Sequence, residues 1–535
     1  MKKHSLKNRH FKDSDISGEN NKSEVRIYSR RMLNTTIFIS LFIIAGSLLL
    51  PFMNRPIWFD EAWSIMVYTT LPYSKIYLSY NAPNNHILLN ILLKFWINST
   101  GGLFPLSEMT FRLFALVSSS VVISLMFWFW RRRLGVIAAS LTILSFAVST
   151  PFLIYGSALR GYMLSLIFVI CGMETAQKFI ETGRKKFLLF YLLSALTCIA
   201  VIPSNIFIFA LIAILPLPKS FFLKESLWDF IRNRWLLALL PLVSFTLFYG
   251  PIFNKLYPAL KHNNGWLHPT NAVIHLYSAF IITLLPAVIL AFTGGFIYTR
   301  ARSNTKSDNK KRQNRAMSFI KNMNTISLIS LCLIFTAPAL VISCRNPAPF
   351  PRIFFQVWPL WLFIIGSGIK HIVALIRYNT KKLYLISLAL SVIAIGWGAL
   401  IQSAAPELSE LFTINFSQDD FFQPYYMKTD FTPMKTVENA VKLANHQNRR
   451  VFLSQYADFP SLIFYGKLQK IDDDFWITDY PGKKTLSQTK NKGKYYIIVK
   501  DKKDLSLIKK RFKLKILKQL NKNSFQKIYE VKYEN

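Results

Sequence analysis

Apolar and polar positions follow one another in long blocks rather than in the short periods of a soluble domain. Eleven apolar runs recur, at 34–52, 111–130, 136–154, 162–180, 187–202, 205–218, 235–251, 273–298, 323–342, 353–369 and 383–403. About 18 or more such residues in a helix cross a bilayer core of roughly 30 Å, so the pattern predicts eleven transmembrane helices. The polar stretches between them alternate in character. Those at 131–133, 178–186, 219–234, 300–321 and 370–382 are basic, and those at 53–110, 155–161, 203–204, 252–272 and 343–352 are poorer in Lys and Arg. Positive loops stay in the cytosol. The basic set, together with the polar and basic tail 1–33, is therefore expected inside and the other set outside. The tail has no small-residue cleavage site after an apolar core and does not read as a removable signal peptide.

Two departures from this rhythm define the rest of the chain. The first outer loop, 53–110, is the longest within the membrane region. Its segment from Asn84 to Trp96 has a helical apolar period but is too short to span, so it is expected to lie in the interface plane with Trp96 and Lys94 as anchors. After Ser403 the runs shorten to strand length. Arg450–Ser454, Lys494–Val499, Lys513–Leu520 and Phe525–Tyr533 read as strands and Asp501–Phe512 as a helix, predicting a small α/β domain over 404–535, outside by the same span count.

The 535 residues are 52% apolar, include 45 Phe and carry a net charge of +38. Because the excess falls largely between apolar runs, it points to anionic lipid headgroups rather than nucleic acid. Cys171, Cys198, Cys332 and Cys344 have no metal-knuckle or disulfide spacing and are expected as small core residues.

Candidate chemistry gathers in the outward stretches. Asp60 and Glu61 stand just after the first span within Trp58-Phe59-Asp60-Glu61-Ala62-Trp63. Two acids at a membrane surface are costly unless used or paired. The other outward groups are His86, Glu108, Arg112, Arg160, His262, His268, Arg345 and Arg352. Acids beside arginines suit sugar transfer from a lipid phosphate. Arg matches a leaving phosphate with bidentate hydrogen bonds, and a carboxylate can accept the acceptor's proton or stabilise charge on the sugar ring. Asp60 is the first candidate for the catalytic carboxylate, with Glu61 supporting the loop or sharing the chemistry. Arg160, Arg352 and Arg112 are candidates for the donor phosphate, although Arg112 could instead pair with Glu108 four residues away. His86 reads as a structural hydrogen-bonding group. With His262 and His268 it is also the one candidate set for a divalent metal.

The order of these motifs resembles the GT-C membrane glycosyltransferases of the protein-mannosyltransferase and lipid A aminoarabinose-transferase type. The resemblance covers roughly 34–403 and rests on four pieces in order. They are Trp58-Phe59-Asp60-Glu61-Ala62, then Asn84-Asn85-His86-Ile87-Leu88-Leu89 with Ser107-Glu108-Met109-Thr110-Phe111-Arg112-Leu113, then Ala158-Leu159-Arg160-Gly161-Tyr162, and last Pro351-Arg352-Ile353-Phe354. The chain departs from that pattern where Ile87-Leu88 replaces Pro-Pro, where Ile353 replaces Tyr, and where one residue is inserted before Arg160. The resemblance implies an inverting transferase on the outer face of a membrane. It would take a polyprenyl-phosphate-linked sugar as donor and a lipid, glycan or protein as acceptor. Two other classes remain: a transporter or flippase, which would favour polar residues at mid-span, and a polymerase or ligase of lipid-linked glycans.

Overall fold

The computed structural model describes residues 32, 34–80, 85–101, 107–215, 226–262, 268–281, 283–284, 325–344, 348, 351–375, 431–445, 451–454, 457–478, 494–521 and 525–533. The tail 1–31 and the span expected at 383–403 lie outside them. Helix α1 (Asn34–Phe52) leads into the long loop that follows the first span. That loop folds into a short helix α2 (Phe59–Trp63), a π turn over Ser64–Tyr68, α3 (Tyr73–Leu78) and α4 (Ile87–Thr100). Then follow α5 (Glu108–Leu134), α6 (Val136–Ala147), α7 (Thr150–Ser157), α8 (Gly161–Thr182), α9 (Lys185–Val201), α10 (Asn205–Ala213), α11 (Leu227–Tyr249), α12 (Phe253–His262), α13 (Thr325–Ser343) and α14 (Trp358–Leu375).

Among the described residues six helices are long and apolar enough to cross a membrane, or seven if the bent pair α6 and α7 is one span. The chain is an integral membrane protein, mostly helical. The pair α6–α7 bends by 68°, and the break falls where the Ser149 side chain caps α7 and Pro151 stands in its first turn. The runs at 187–202 and 205–218 form helices of 17 and 9 residues, shorter than a full span. Only Cys198 of the four cysteines is buried, while Cys332 and Cys344 are exposed.

The two anchor residues expected on α4 bond to protein: Lys94 Nζ donates to the carbonyls of Thr69 (3.1 Å) and Leu71 (2.6 Å), and Trp96 Nε1 donates to Thr110 O (3.1 Å). The helix thereby ties the end of the preceding turn to the start of α5.

The C-terminal domain contains α15 (Pro433–Asn445), β1 (Val451–Leu453), α16 (Phe459–Leu468), β2 (Trp476–Thr478), β3 (Lys494–Val499), α17 (Lys502–Phe512), β4 (Leu514–Gln519) and β5 (Lys527–Tyr533). The strands form a mixed sheet in the order β2-β1-β3-β5-β4, parallel from β2 to β3 and antiparallel beyond. The inner strands supply two apolar faces. Phe452, Ile497 and Val499 pack on Leu505 and Ile508 of α17. Val451, Leu453, Tyr496 and Ile498 pack on the other side in one continuous core with Val437, Leu462 and Phe464, and that core extends into the membrane part through Ile57, Ala62, Leu93, Phe111 and Leu159.

Candidate active site

The site is built outward from one buried ion pair. Arg112, in the second turn of α5, is 1% exposed, and its guanidinium meets Glu61, which is 0% exposed. Nε donates to Glu61 Oε1 (3.1 Å) and Nη2 to Oε2 (2.6 Å). Nη1 donates to the carbonyls of Met53 (3.2 Å) and Arg55, and Nη2 also donates to Pro56 O (3.0 Å). All five N–H groups are engaged by protein oxygens. Glu61 in turn accepts from Leu159 N (2.7 Å) and from Trp58 N (3.3 Å). This satisfies the burial requirement for a charged pair, and it joins the loop after α1, the first turn of α2 and the segment before α8 at one point.

The pair fixes the turn that carries Asp60. With Glu61 facing inward to Arg112, Asp60 faces a different way and is 17% exposed. Its Oδ2 lies 3.6 Å from Arg160 Nη2 and 3.8 Å from Arg352 Nη2. Arg160 is the residue before the first turn of α8, and Arg352 sits in the 3₁₀ turn Pro351–Val357 ahead of α14. The Arg352 guanidinium also lies over the Trp58 ring, 5.6 Å from its centroid. Three loops separated by 100 to 190 residues thus deliver one carboxylate and two guanidiniums to a single spot.

His86 precedes the first turn of α4 and is 5% exposed. Burial, then the neighbouring Arg160 and Arg352, hold its imidazole well below the usual histidine range. The ring is therefore neutral at pH 7. Its Nδ1 stands 3.2 Å from Val201 O, and since a carbonyl only accepts, the proton sits on Nδ1 and Nε2 is an acceptor. Gly161 makes this approach possible: a Cβ there would stand 2.5 Å from Val201 Cγ1 and 3.4 Å from His86 Nδ1.

Two of the three arginines expected at the donor phosphate therefore stand beside Asp60, while the third, Arg112, is committed to Glu61. Glu108 does not pair with Arg112 but accepts from Tyr465 Oη at 2.8 Å. Of the histidine set, His86 faces two cations and His268 is exposed, while the side chain of His262 lies outside the described residues. No group of three or more His, Cys, Asp or Glu among the described residues could hold a metal ion.

Sequence reading missed two residues of this region, Asp458 and Tyr465. Asp458 Oδ2 accepts from Phe59 N (3.1 Å), and Tyr465 Oη accepts from Ile57 N (2.9 Å). The one local signal was the Asp-x-Pro-Ser pattern at 458–461, a helix start. Nothing local pointed to a partner 399 positions away.

No sequence family and no curated protein matches this chain. Solved structures do. The crystal structure of ArnT from Cupriavidus metallidurans in the apo state superposes with a TM-score of 0.50 at 12% identity, covering 93% of this chain and 97% of that one. The chain has the ArnT fold. The structure of the same ArnT bound to undecaprenyl phosphate aligns over the same shares at 13% identity and a TM-score of 0.43. The fold likeness spans both the membrane helices and the C-terminal sheet domain, which is wider than the 34–403 over which the motifs run.

Proposed function

We propose that this chain is an inverting glycosyltransferase. It moves a sugar from a polyprenyl phosphate to a lipid, glycan or protein acceptor at the outer face of the membrane. The observation that carries the reading is the placement of the Asp60 carboxylate between the guanidiniums of Arg160 and Arg352. At 3.6 and 3.8 Å these are ion pairs without hydrogen-bond contact. A guanidinium matches a phosphate with bidentate hydrogen bonds that are shorter and stronger than these contacts, which suits both arginines to a donor phosphate.

In this reading the donor phosphate lies against Arg160 and Arg352 with its lipid tail among the apolar helices. The acceptor oxygen bonds to the anomeric carbon from the face opposite the phosphate. The carbon–oxygen bond to phosphate breaks, and its electron pair leaves on the polyprenyl phosphate, held by the two arginines. Asp60 takes the proton of an acceptor hydroxyl. For an acceptor that is itself a phosphate, no proton moves and Asp60 acts on the developing positive charge of the ring. Glu61 and Arg112 hold the loop. Neutral His86 offers an acceptor nitrogen beside the arginines, suited to a sugar hydroxyl.

The test is transfer of radiolabelled sugar from an undecaprenyl phosphate donor by the purified protein. Arg160→Ala and Arg352→Ala each remove charge-assisted hydrogen bonds of about 1.5–3 kcal/mol, so each is expected to raise the donor KM by roughly 10–100-fold with melting unchanged. Wild-type donor dependence in both variants would put the phosphate elsewhere.

A further inference from the structure

The turn that carries Asp60 is held from two sides, and the C-terminal domain is one of them. Three consecutive backbone amides precede Asp60, and each donates to a side chain. Trp58 N donates to Glu61 within the loop (3.3 Å). The flanking amides turn to the C-terminal domain: Ile57 N donates to Tyr465 Oη (2.9 Å) and Phe59 N to Asp458 Oδ2 (3.1 Å). Tyr465 Oη in turn donates to Glu108 Oε1 (2.8 Å) at the start of α5, so its hydroxyl links the loop to the membrane helix that carries Arg112. Phe459 seals the contact, meeting the stacked rings of Phe59 and Trp63 edge-on at 6.0 and 6.2 Å.

Asp458 is unusual in its backbone. It is 2% exposed and has φ +53°, one of three non-glycine residues with positive φ among those described. That conformation costs free energy for any L-residue, least for Asn and Asp. Its carboxylate divides between two helices: Oδ1 accepts from Ser461 N at the start of α16 (3.3 Å), and Oδ2 accepts from Phe59 N at the start of α2. A helix start needs one side-chain acceptor. The second oxygen is directed at Phe59, the residue next to Asp60.

We infer that Asp458 and Tyr465 are positioning residues for Asp60, so that the C-terminal domain is part of the catalytic apparatus rather than an appended module. The inference rests on the glycosyltransferase reading for its chemistry, but its geometry can be tested without it. A carboxylate between two guanidiniums has to be placed to within a fraction of an ångström of the reacting atoms, and a misplacement of about 1 Å can cost on the order of 10²-fold in rate.

The decisive variant is Asp458→Asn. Asn tolerates the left-handed backbone, and its amide oxygen still caps α16. Its NH₂ group then faces the Phe59 N–H, donor against donor. Tyr465→Phe is the second variant; it keeps the ring and deletes the hydroxyl that serves Ile57 and Glu108. The first measurement is hydrogen exchange of the peptide spanning 55–66 in the full-length protein, which needs no substrate. Faster exchange there, with melting within a few degrees of wild type, is expected in both variants, and unchanged exchange in both overturns the clamp. The second measurement is steady-state transfer from the undecaprenyl phosphate donor. A kcat lower by roughly 10–100-fold with donor KM within about twofold is expected, because the arginines stay in place. Faster exchange with unchanged kcat overturns the positioning role. If the wild type transfers no sugar at all while exchange responds as expected, the clamp stands and the transferase reading is the part that fails.

Discussion

Asp60 and Glu61 are neighbours in sequence with opposite environments. Glu61 is fully buried and saturated with donors, while Asp60 keeps a solvent-facing edge and two arginines at more than hydrogen-bond distance. Variants are expected to separate along the same line. Arg112→Ala leaves Glu61 charged, buried and unpaired, which typically costs about 3–5 kcal/mol, so the protein is expected to lose most of its folded yield, measured by size exclusion in detergent. Arg112→Lys is expected to rescue little, because a point charge cannot replace five N–H groups in a fixed fork. Asp60→Asn is expected to leave folding intact. His86 adds a pH dependence. Its folded-state pKa lies well below the ordinary 6.5, so below about 6.5 the unfolded chain binds a proton that the folded chain refuses. Stability is therefore full above that pH and declines as pH falls beneath it. A His86→Gln variant should melt with a shallower dependence between pH 6.5 and 5.

Helices α2, α5 and α8 meet the site at their N-terminal ends, and their starts do the positioning: Glu61 reaches back to the amide of Trp58, and Ser107 caps α5. The meeting of α8 with the end of α9 depends on Gly161. A methyl group there would stand 2.5 Å from Val201 Cγ1, so Val201, whose carbonyl holds His86 Nδ1, must shift, and overpacking of this kind costs about 1–3 kcal/mol. Gly161→Ala is accordingly expected to lower the melting temperature and to weaken donor binding together, which thermal shift with and without undecaprenyl phosphate would read. Much of this scale was legible beforehand. A charged residue at the end of a long apolar run has few places to go, so position placed Asp60, Arg160 and Arg352 in a small outward set, and the motif resemblance singled them out of it. The pairing of Arg112 could not. Four-residue spacing on a helix offered Glu108 as its partner, but Glu61 sits deeper, where an unpaired carboxylate is most costly, and burial decided between them.

At the scale of the whole molecule, a helical membrane body and a mixed-sheet domain share one apolar core around Ile57, Phe111 and Leu462. The strands β1, β3, β4 and β5 and helix α17 were readable from alternation and helical period. Helix α16 was not, because its apolar residues face both the sheet and the membrane body and leave no polar stripe to mark a period. The docking of Tyr465 onto Ile57, 408 positions away, is a tertiary fact with no local signature. The orientation expected from the basic loops is open to a direct test: reporter fusions at Lys310 and Lys494 should give opposite signals, inside and outside. Equal signals would mean that an odd number of spans has been misassigned.

The most direct measurement is turnover of Asp60→Asn in the purified sugar-transfer assay, with Glu61→Gln beside it and donor binding measured on both. Asn keeps the shape of the side chain but carries no charge and takes no proton, and loss of a general base costs about 10²–10⁴-fold in rate. The account predicts that Asp60→Asn folds, still binds undecaprenyl phosphate through Arg160 and Arg352, and turns over at least about 100-fold more slowly, whereas Glu61→Gln loses folded protein first. Near-normal turnover by well-folded Asp60→Asn would contradict the account at its centre.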